Sequence, residues 1–382
     1  MKFTRRGFIQ NVGLGTAAGV ISGTSLLSPI INAQTREAAM AGVFDGGVIQ
    51  LNQNESARGP GPKTMQAIHS AISKRIGRGY APDYLRELQA SIIDHFDVGA
   101  DNVLMSTGST PILQGTVRAF CGADKPLVTA APSFTTSEQT ARQIGAAVKV
   151  IPLDSHLNID LDAMVAASIG AGMVYLCNPN NPTGTVHGLA AMEAAIREIV
   201  RRSPTTKILV DEAYIDYVDA SVMQTALPLA KEFSNVIIAR TFSKAHGMAG
   251  LRVGYGLADS GTLDEINSAW GMGDVNMIGA IAALTAFEDT DHIAWERQEN
   301  SEIRAFTVGA LNDMGFDVPE SHTNHIFPNL KRPASVVRAA CIKSGISVGR
   351  DFPPLQETHC RISLGSREEM EKAVAVFRAV LS

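Results

Sequence analysis

Five short apolar runs, several of them ending in residues capable of chemistry, limit the fold of this chain more than any other feature. Asn102-Val-Leu-Met-Ser106, Pro126-Leu-Val-Thr-Ala130, Gly172-Met-Val-Tyr-Leu-Cys177, Lys207-Ile-Leu-Val-Asp211 and Asn235-Val-Ile-Ile-Ala239 read as buried strands, and amphipathic stretches separate them. That alternation predicts a mostly parallel sheet covered by helices. In open α/β sheets ligands collect at the carboxyl ends of the strands, so the polar residues placed there carry more weight than the same residues in mid-helix.

From about Asp291 the pattern changes to one long charged helix, followed by short strands around His325-Ile-Phe and Cys360-Arg-Ile-Ser-Leu364. This predicts a second, smaller domain. With no repeat and no low-complexity linker after the N-terminal region, the two lobes are expected to pack closely.

The first residues follow different rules. After Met1–Ile9, with Lys2, Arg5 and Arg6, the next charged residue is Arg36. A positive start, a Gly/Ala-rich apolar stretch and Ala33 before a cleavage point read as an export signal over residues 1–33, with an uncleaved membrane anchor as the alternative. The pair Arg5-Arg6 before Gly-Phe-Ile resembles the twin-arginine consensus, which implies the twin-arginine export machinery as a partner and the periplasm as the destination. Cleavage removes three cations and no acid, taking the formal charge from −5 to −8.

The 382 residues, 45% hydrophobic and 19% charged, suffice for a large core. No basic run interleaves with aromatics, so the expected partner is a small molecule and not a nucleic acid. Cys121, Cys177, Cys341 and Cys360 include no Cys-x-x-Cys pair, which reads as buried free thiols and not as a metal site. Gly345-Ile-Ser-Val-Gly349 matches a nucleophile elbow by letters, yet Arg350-Asp-Phe-Pro-Pro354 follows where a helix is required, so Ser347 reads as structural. Ile208-Leu-Val-Asp-Glu212 lacks the phosphate-binding loop of a nucleotide triphosphatase.

The strand-end residues make sense together. Asn178-Pro-Asn-Asn-Pro-Thr-Gly184 follows one strand, Asp211 closes the next with Tyr214 three residues later, and Lys244 follows a third. A ligand that uses an amide, a carboxylate, a phenol and an amine at once is pyridoxal 5'-phosphate. Its aldehyde condenses with a lysine, its pyridine nitrogen needs a carboxylate, and its phosphate needs hydroxyls, a helix N-terminus and arginine. Lys244 lies in TFSKAHGMAGLR, where small and apolar neighbours favour partial burial and a depressed pKa.

The motifs LNQNE (Leu51–Glu55), RGYAPD (Arg78–Asp83), STGST (Ser106–Thr110), PSF (Pro132–Phe134), NPNNPTG (Asn178–Gly184), DEAY (Asp211–Tyr214), TFSKAHGMAGLRVGY (Thr241–Tyr255) and CRISLG (Cys360–Gly365) stand in one order along the chain. In that order the sequence resembles a class I/II, fold-type I aminotransferase, nearest the histidinol-phosphate aminotransferase branch. The resemblance implies a three-layer α/β/α large domain over residues 61–285, a smaller α+β domain over 286–382, and an arm over 34–60 joining the small domain.

It implies transfer of an amino group between an amino acid or related amine and a 2-oxo acid. The alternative on the same scaffold is a lyase or an amino-acid oxidase or deaminase. Lys244 would be the Schiff-base lysine, Asp211 the partner of the ring nitrogen, and Asn181 and Tyr214 the partners of the phenolate. Ser109, Thr110, Thr241, Ser243 and Arg252 would bind the phosphate, and Phe134 would stack on the ring. Arg361 would clamp the substrate carboxylate, with Asn54, Arg350 and His246 as further substrate contacts. Tyr80 would reach the phosphate in the neighbouring subunit, implying a homodimer with shared sites. Thr110-Pro111, His246 and His325 depart from the family pattern, and Arg350 is shifted by one residue.

Overall fold

The computed structural model describes residues 47–73 and 82–382. The expected export signal and Tyr80 lie outside those residues. In chain order the elements are β1 (Ile49–Leu51), α1 (Pro62–Ala71), α2 (Pro82–Phe96), β2 (Val103–Ser106), α3 (Thr110–Phe120), β3 (Leu127–Ala131), α4 (Thr136–Gln143), β4 (Val148–Pro152), α5 (Leu161–Ala167), β5 (Met173–Cys177) and α6 (Leu189–Arg202). They continue with β6 (Lys207–Asp211), α7 (Leu227–Glu232), β7 (Val236–Thr241), β8 (Gly254–Leu257), α8 (Ser260–Ala269), α9 (Met277–Glu288), α10 (Thr290–Asp313), β9 (His325–Ile326), α11 (Ala334–Lys343), β10 (Ile346–Val348), β11 (Ile362–Ser363) and α12 (Arg367–Leu381).

Seven strands form one sheet in the order β2-β8-β7-β6-β5-β3-β4. β8 runs antiparallel to both of its neighbours, and the other pairings are parallel. Side-chain alternation sorts each central strand into two cores. Val174, Leu176, Ile208, Val210 and Ile238 pack with Ile196 and Ile199 of α6 on one face. Met173, Tyr175, Leu209 and Ile237 pack with Ile112 and Leu113 of α3 and Ile266 of α8 on the other. The result is helix, sheet, helix in three layers. With both faces covered, β5 is buried at every position, which explains its continuous apolar run.

A separate core joins Leu51 of β1 to Ile303 and Leu311 of α10, Val337 of α11, Val348 of β10, Ile362 of β11 and Phe377 of α12. Here β1 pairs with β10 in parallel, and β11 pairs with β9 antiparallel. The segment leading into the site is therefore tied by its backbone to the C-terminal part of the chain. Ser366 and Glu369 cap α12 reciprocally. The four cysteines are all unpaired.

Candidate active site

The sheet order brings the chemistry together. β5, β6 and β7 are parallel neighbours, in register at Cys177, Asp211 and Ala239, so the segments that follow them leave the same edge of the sheet. β2 ends there too, and β8 begins there, because Ser106 and Thr241 both pair with Gly254. A cavity of about 870 Å³ opens at this edge, lined by Ser109, Thr110, Phe134, Asn181, Asp211, Tyr214, Thr241, Ser243, Lys244, Arg252 and Arg361.

One end of the cavity is an anion cradle. α3 starts at Thr110 with no side-chain cap from Ser109, which leaves first-turn N–H groups facing the cavity. Thr241 Oγ1 donates to Ser243 Oγ at 2.8 Å, and Arg252 Nη1 donates to the same Ser243 oxygen at 3.2 Å. Arg252 holds a left-handed φ of 58°, and its Nη2 donates to the Thr107 carbonyl at 3.2 Å. Gly108 makes this possible: at φ +84°, a Cβ there would sit 2.4 Å from Arg252 Nη2.

At the other end Asp211 is buried. Tyr175 donates to its Oδ2 at 2.7 Å, and the Ala213 N–H donates to its Oδ1 at 3.2 Å. Burial pushes the carboxyl up to about 6, although Tyr175, the Ala213 N–H and the charge of Lys244 all pull it down. Glu212, the next residue, points to the opposite face, where it pairs with Arg240 at 2.8 Å and accepts from Thr225 and the Ala226 N–H. The two acids of the Asp211-Glu212 pair thus do different work: Asp211 serves the cavity, and Glu212 closes a satisfied ion pair beneath it. Tyr214 Oη accepts from Asn54 Nδ2 at 3.0 Å and from Asn181 Nδ2 at 3.2 Å, which leaves its own proton free to donate into the cavity.

Lys244 Nζ lies 3.2 Å from the Asn54 carbonyl and 5.5 Å from the Tyr214 ring centroid. Burial first, then the charge of Arg361, lower its pKa to about 8. Arg361 donates from Nη1 to Asn181 Oδ1 at 2.9 Å, while its buried Nε has no partner among the described residues. A desolvated guanidinium with a free donor is a site for a carboxylate.

Two expected substrate contacts, Asn54 and His246, do not line this cavity, and a third, Arg350, lines its rim. Asn54 is fully buried in a left-handed turn (φ 56°). Its side chain is consumed by Tyr214, Ser363 and His325, so it braces the site and does not face the cavity. His246 lines a different cavity with Phe242, Asp216 and Arg240, because its ring turns back 4.8 Å from Phe242 and 3.6 Å from Asp216 Oδ2. Arg350 stands at the rim, donating to Thr135 Oγ1 at 3.2 Å. His325 packs edge-on to Tyr214 at 5.1 Å, behind the cavity. Ser347 sits on β10 with no helix after it, and lines the cavity wall. Sequence reading missed Tyr175. An aromatic inside an apolar strand gives no sign that its hydroxyl reaches a carboxylate one strand away.

The residues present fit pyridoxal 5'-phosphate. An anion cradle, a buried acid, a phenol with a proton to give, a half-buried aromatic face at Phe134 and a lysine of depressed pKa surround one space. The fold and this site define an enzyme of the pyridoxal phosphate fold-type I class. The aminotransferase class I and II family profile matches residues 46–377. The histidinol-phosphate aminotransferase of Moorella thermoacetica is 32% identical over 342 residues, spanning 88% of this chain and 86% of its own length. The aromatic amino acid aminotransferase of Rhodococcus opacus is 32% identical over 337 residues, spanning 86% and 89%. The crystal structure of histidinol-phosphate aminotransferase from Sinorhizobium meliloti, in complex with pyridoxal-5'-phosphate, matches with a TM-score of 0.78 at 26% identity, covering 94% of this chain and 98% of that one. The chain belongs to the aminotransferase class I and II family. It is a pyridoxal-phosphate-dependent transaminase, and its kinship with transaminases favours amino transfer over elimination or oxidative deamination.

Proposed function

We propose that this transaminase works outside the cytoplasm, as a homodimer, on an amino acid or related amine other than histidinol phosphate. The observation that carries the amino-acid reading is the placement of Lys244, Asp211 and Arg361 around one cavity. The export reading rests on Arg5-Arg6 and the uncharged stretch after them. Histidinol phosphate is a cytoplasmic biosynthetic intermediate, so an exported relative serves a different amine. In the proposed dimer Tyr80 of each subunit completes the other's phosphate site.

The chain's residues divide the work. When bound, pyridoxal phosphate supplies an electrophilic aldehyde and a ring that takes up charge from the donor's α-carbon. Lys244, with a pKa near 8, is the free amine in about a tenth of molecules at pH 7. An ordinary lysine would be neutral roughly 300-fold less often at that pH. The Nζ of Lys244 would move the proton between the α-carbon of the donor and the cofactor. Asp211 would hold the ring nitrogen's proton, and Tyr214 and Asn181 would stabilise the phenolate. Thr241, Ser243, Arg252 and the start of α3 would anchor the phosphate, while Arg361 would fix the donor's carboxylate and so aim the α-hydrogen at Lys244.

A screen of amino donors against the loaded enzyme tests this. The aldehyde absorbance is expected to convert to that of the amine form with at least one donor, and to return on adding a 2-oxo acid. Turnover of a donor with no 2-oxo acid present would sink the reading.

A further inference from the structure

A second cavity, of about 600 Å³, adjoins the first. Arg350 lines both. The groove is lined by Ala131 at the end of β3, Val150 and Pro152 of β4, and Pro353 and Pro354. Its walls are thus largely apolar, and Val150 is left 41% exposed on the edge strand of the sheet. The polar residues Thr135, Glu138, Gln139 and Arg142 complete the lining, and Glu138 and Arg142 satisfy each other at 2.8 Å. Arg350 does not swing free between the two spaces. Its guanidinium lies 4.3 Å over the Phe352 ring, and its two terminal nitrogens are held by the Thr135 hydroxyl and the Asp351 carbonyl. Pinned this way, it is the residue that the cofactor cavity and the groove share, and a planar group lying against it meets a stacked cation.

We infer that the two cavities form one substrate site, and that the amino donor carries an extended apolar tail, alkyl or aryl, that passes Arg350 and lies against Val150 and the two prolines. The inference rests on the transaminase reading above. It is independent of the anchoring by Arg361, which holds the carboxylate end of any amino acid. The tail gains binding energy at the groove alone, so its length sets affinity and leaves the proton transfer at Lys244 unchanged.

The experiment is a half-reaction series with alanine, norvaline, norleucine, 2-aminooctanoate and homophenylalanine, following loss of the aldehyde absorbance. The apparent dissociation constant is expected to fall by up to about fourfold per added methylene until the groove is filled. In Val150→Glu the gain for 2-aminooctanoate and homophenylalanine is expected to vanish, tenfold or more, while alanine is unaffected. A wild type that ignores chain length, or a variant that loses short and long donors alike, would overturn the extended site and leave the transaminase reading standing. A loaded enzyme that converts with none of these donors or with any other amino acid would overturn both.

Discussion

Two buried ionisable groups, Asp211 and Lys244, are held in this site against their own solvation. Asp211 has a folded-state pKa near 6, above the ordinary carboxyl value, so the stability it brings is present below about pH 4 and lost as pH rises through about 6. Lys244, lowered to about 8, costs stability as pH falls through 8. At neutral pH both penalties are in force in the cofactor-free protein. Asp211→Asn is therefore expected to raise the melting temperature of the apoprotein by a few degrees at pH 7, while lowering transamination by about 100-fold or more. Calorimetry alongside the half-reaction checks this, and a destabilised apoprotein would contradict it. Tyr175→Phe removes the hydroxyl that helps keep Asp211 ionised. The acid limb of cofactor affinity, near pH 6 in the wild type, is expected to move upward in this variant. A limb that stays put would show that the hydroxyl is only packing.

At the scale of elements, the turn after β2 is the part most sensitive to a single methyl. Gly108→Ala adds a Cβ against Arg252 in a backbone region that L-residues avoid, at a cost of about 1 kcal/mol for the backbone alone. Arg252 must shift to relieve the contact. The dissociation constant for pyridoxal phosphate is expected to rise about tenfold, measured by fluorescence quenching, and an unchanged constant would argue against the cradle. The same scale shows what the sequence made legible. β2, β3, β5, β6, β7 and the long helix α10 were readable because burial on both faces, or a long run of helical residues, writes itself into composition. β4 and β8 were not. The first has exposed positions, as an edge strand does, and the second carries two glycines in four residues and reads as part of a loop motif. Many of the residues that line the cavity were legible because they follow strand ends. The orientation of Asn54 and His246 was not, since the side to which a side chain turns depends on Ser363, Phe242 and Asp216, which are distant in sequence or around a turn.

In the whole chain, an enzyme that needs a cofactor made in the cytoplasm follows a proposed export signal whose machinery carries folded proteins. Arg5→Lys with Arg6→Lys is expected to leave the activity in the cytoplasmic fraction, and undiminished activity in the periplasm would refute the export reading. The segment around Asn54 ties the cavity to the C-terminal part of the chain: its backbone N–H donates to Ser363, and its carbonyl accepts from Lys244 and Asn324. Borohydride reduction of the loaded protein, followed by peptide mapping, tests whether this site holds pyridoxal phosphate through Lys244. A pyridoxyl group on the peptide carrying Lys244, and its loss in Lys244→Ala, is the result predicted. A pyridoxyl group on another lysine, or none at all, would contradict the account.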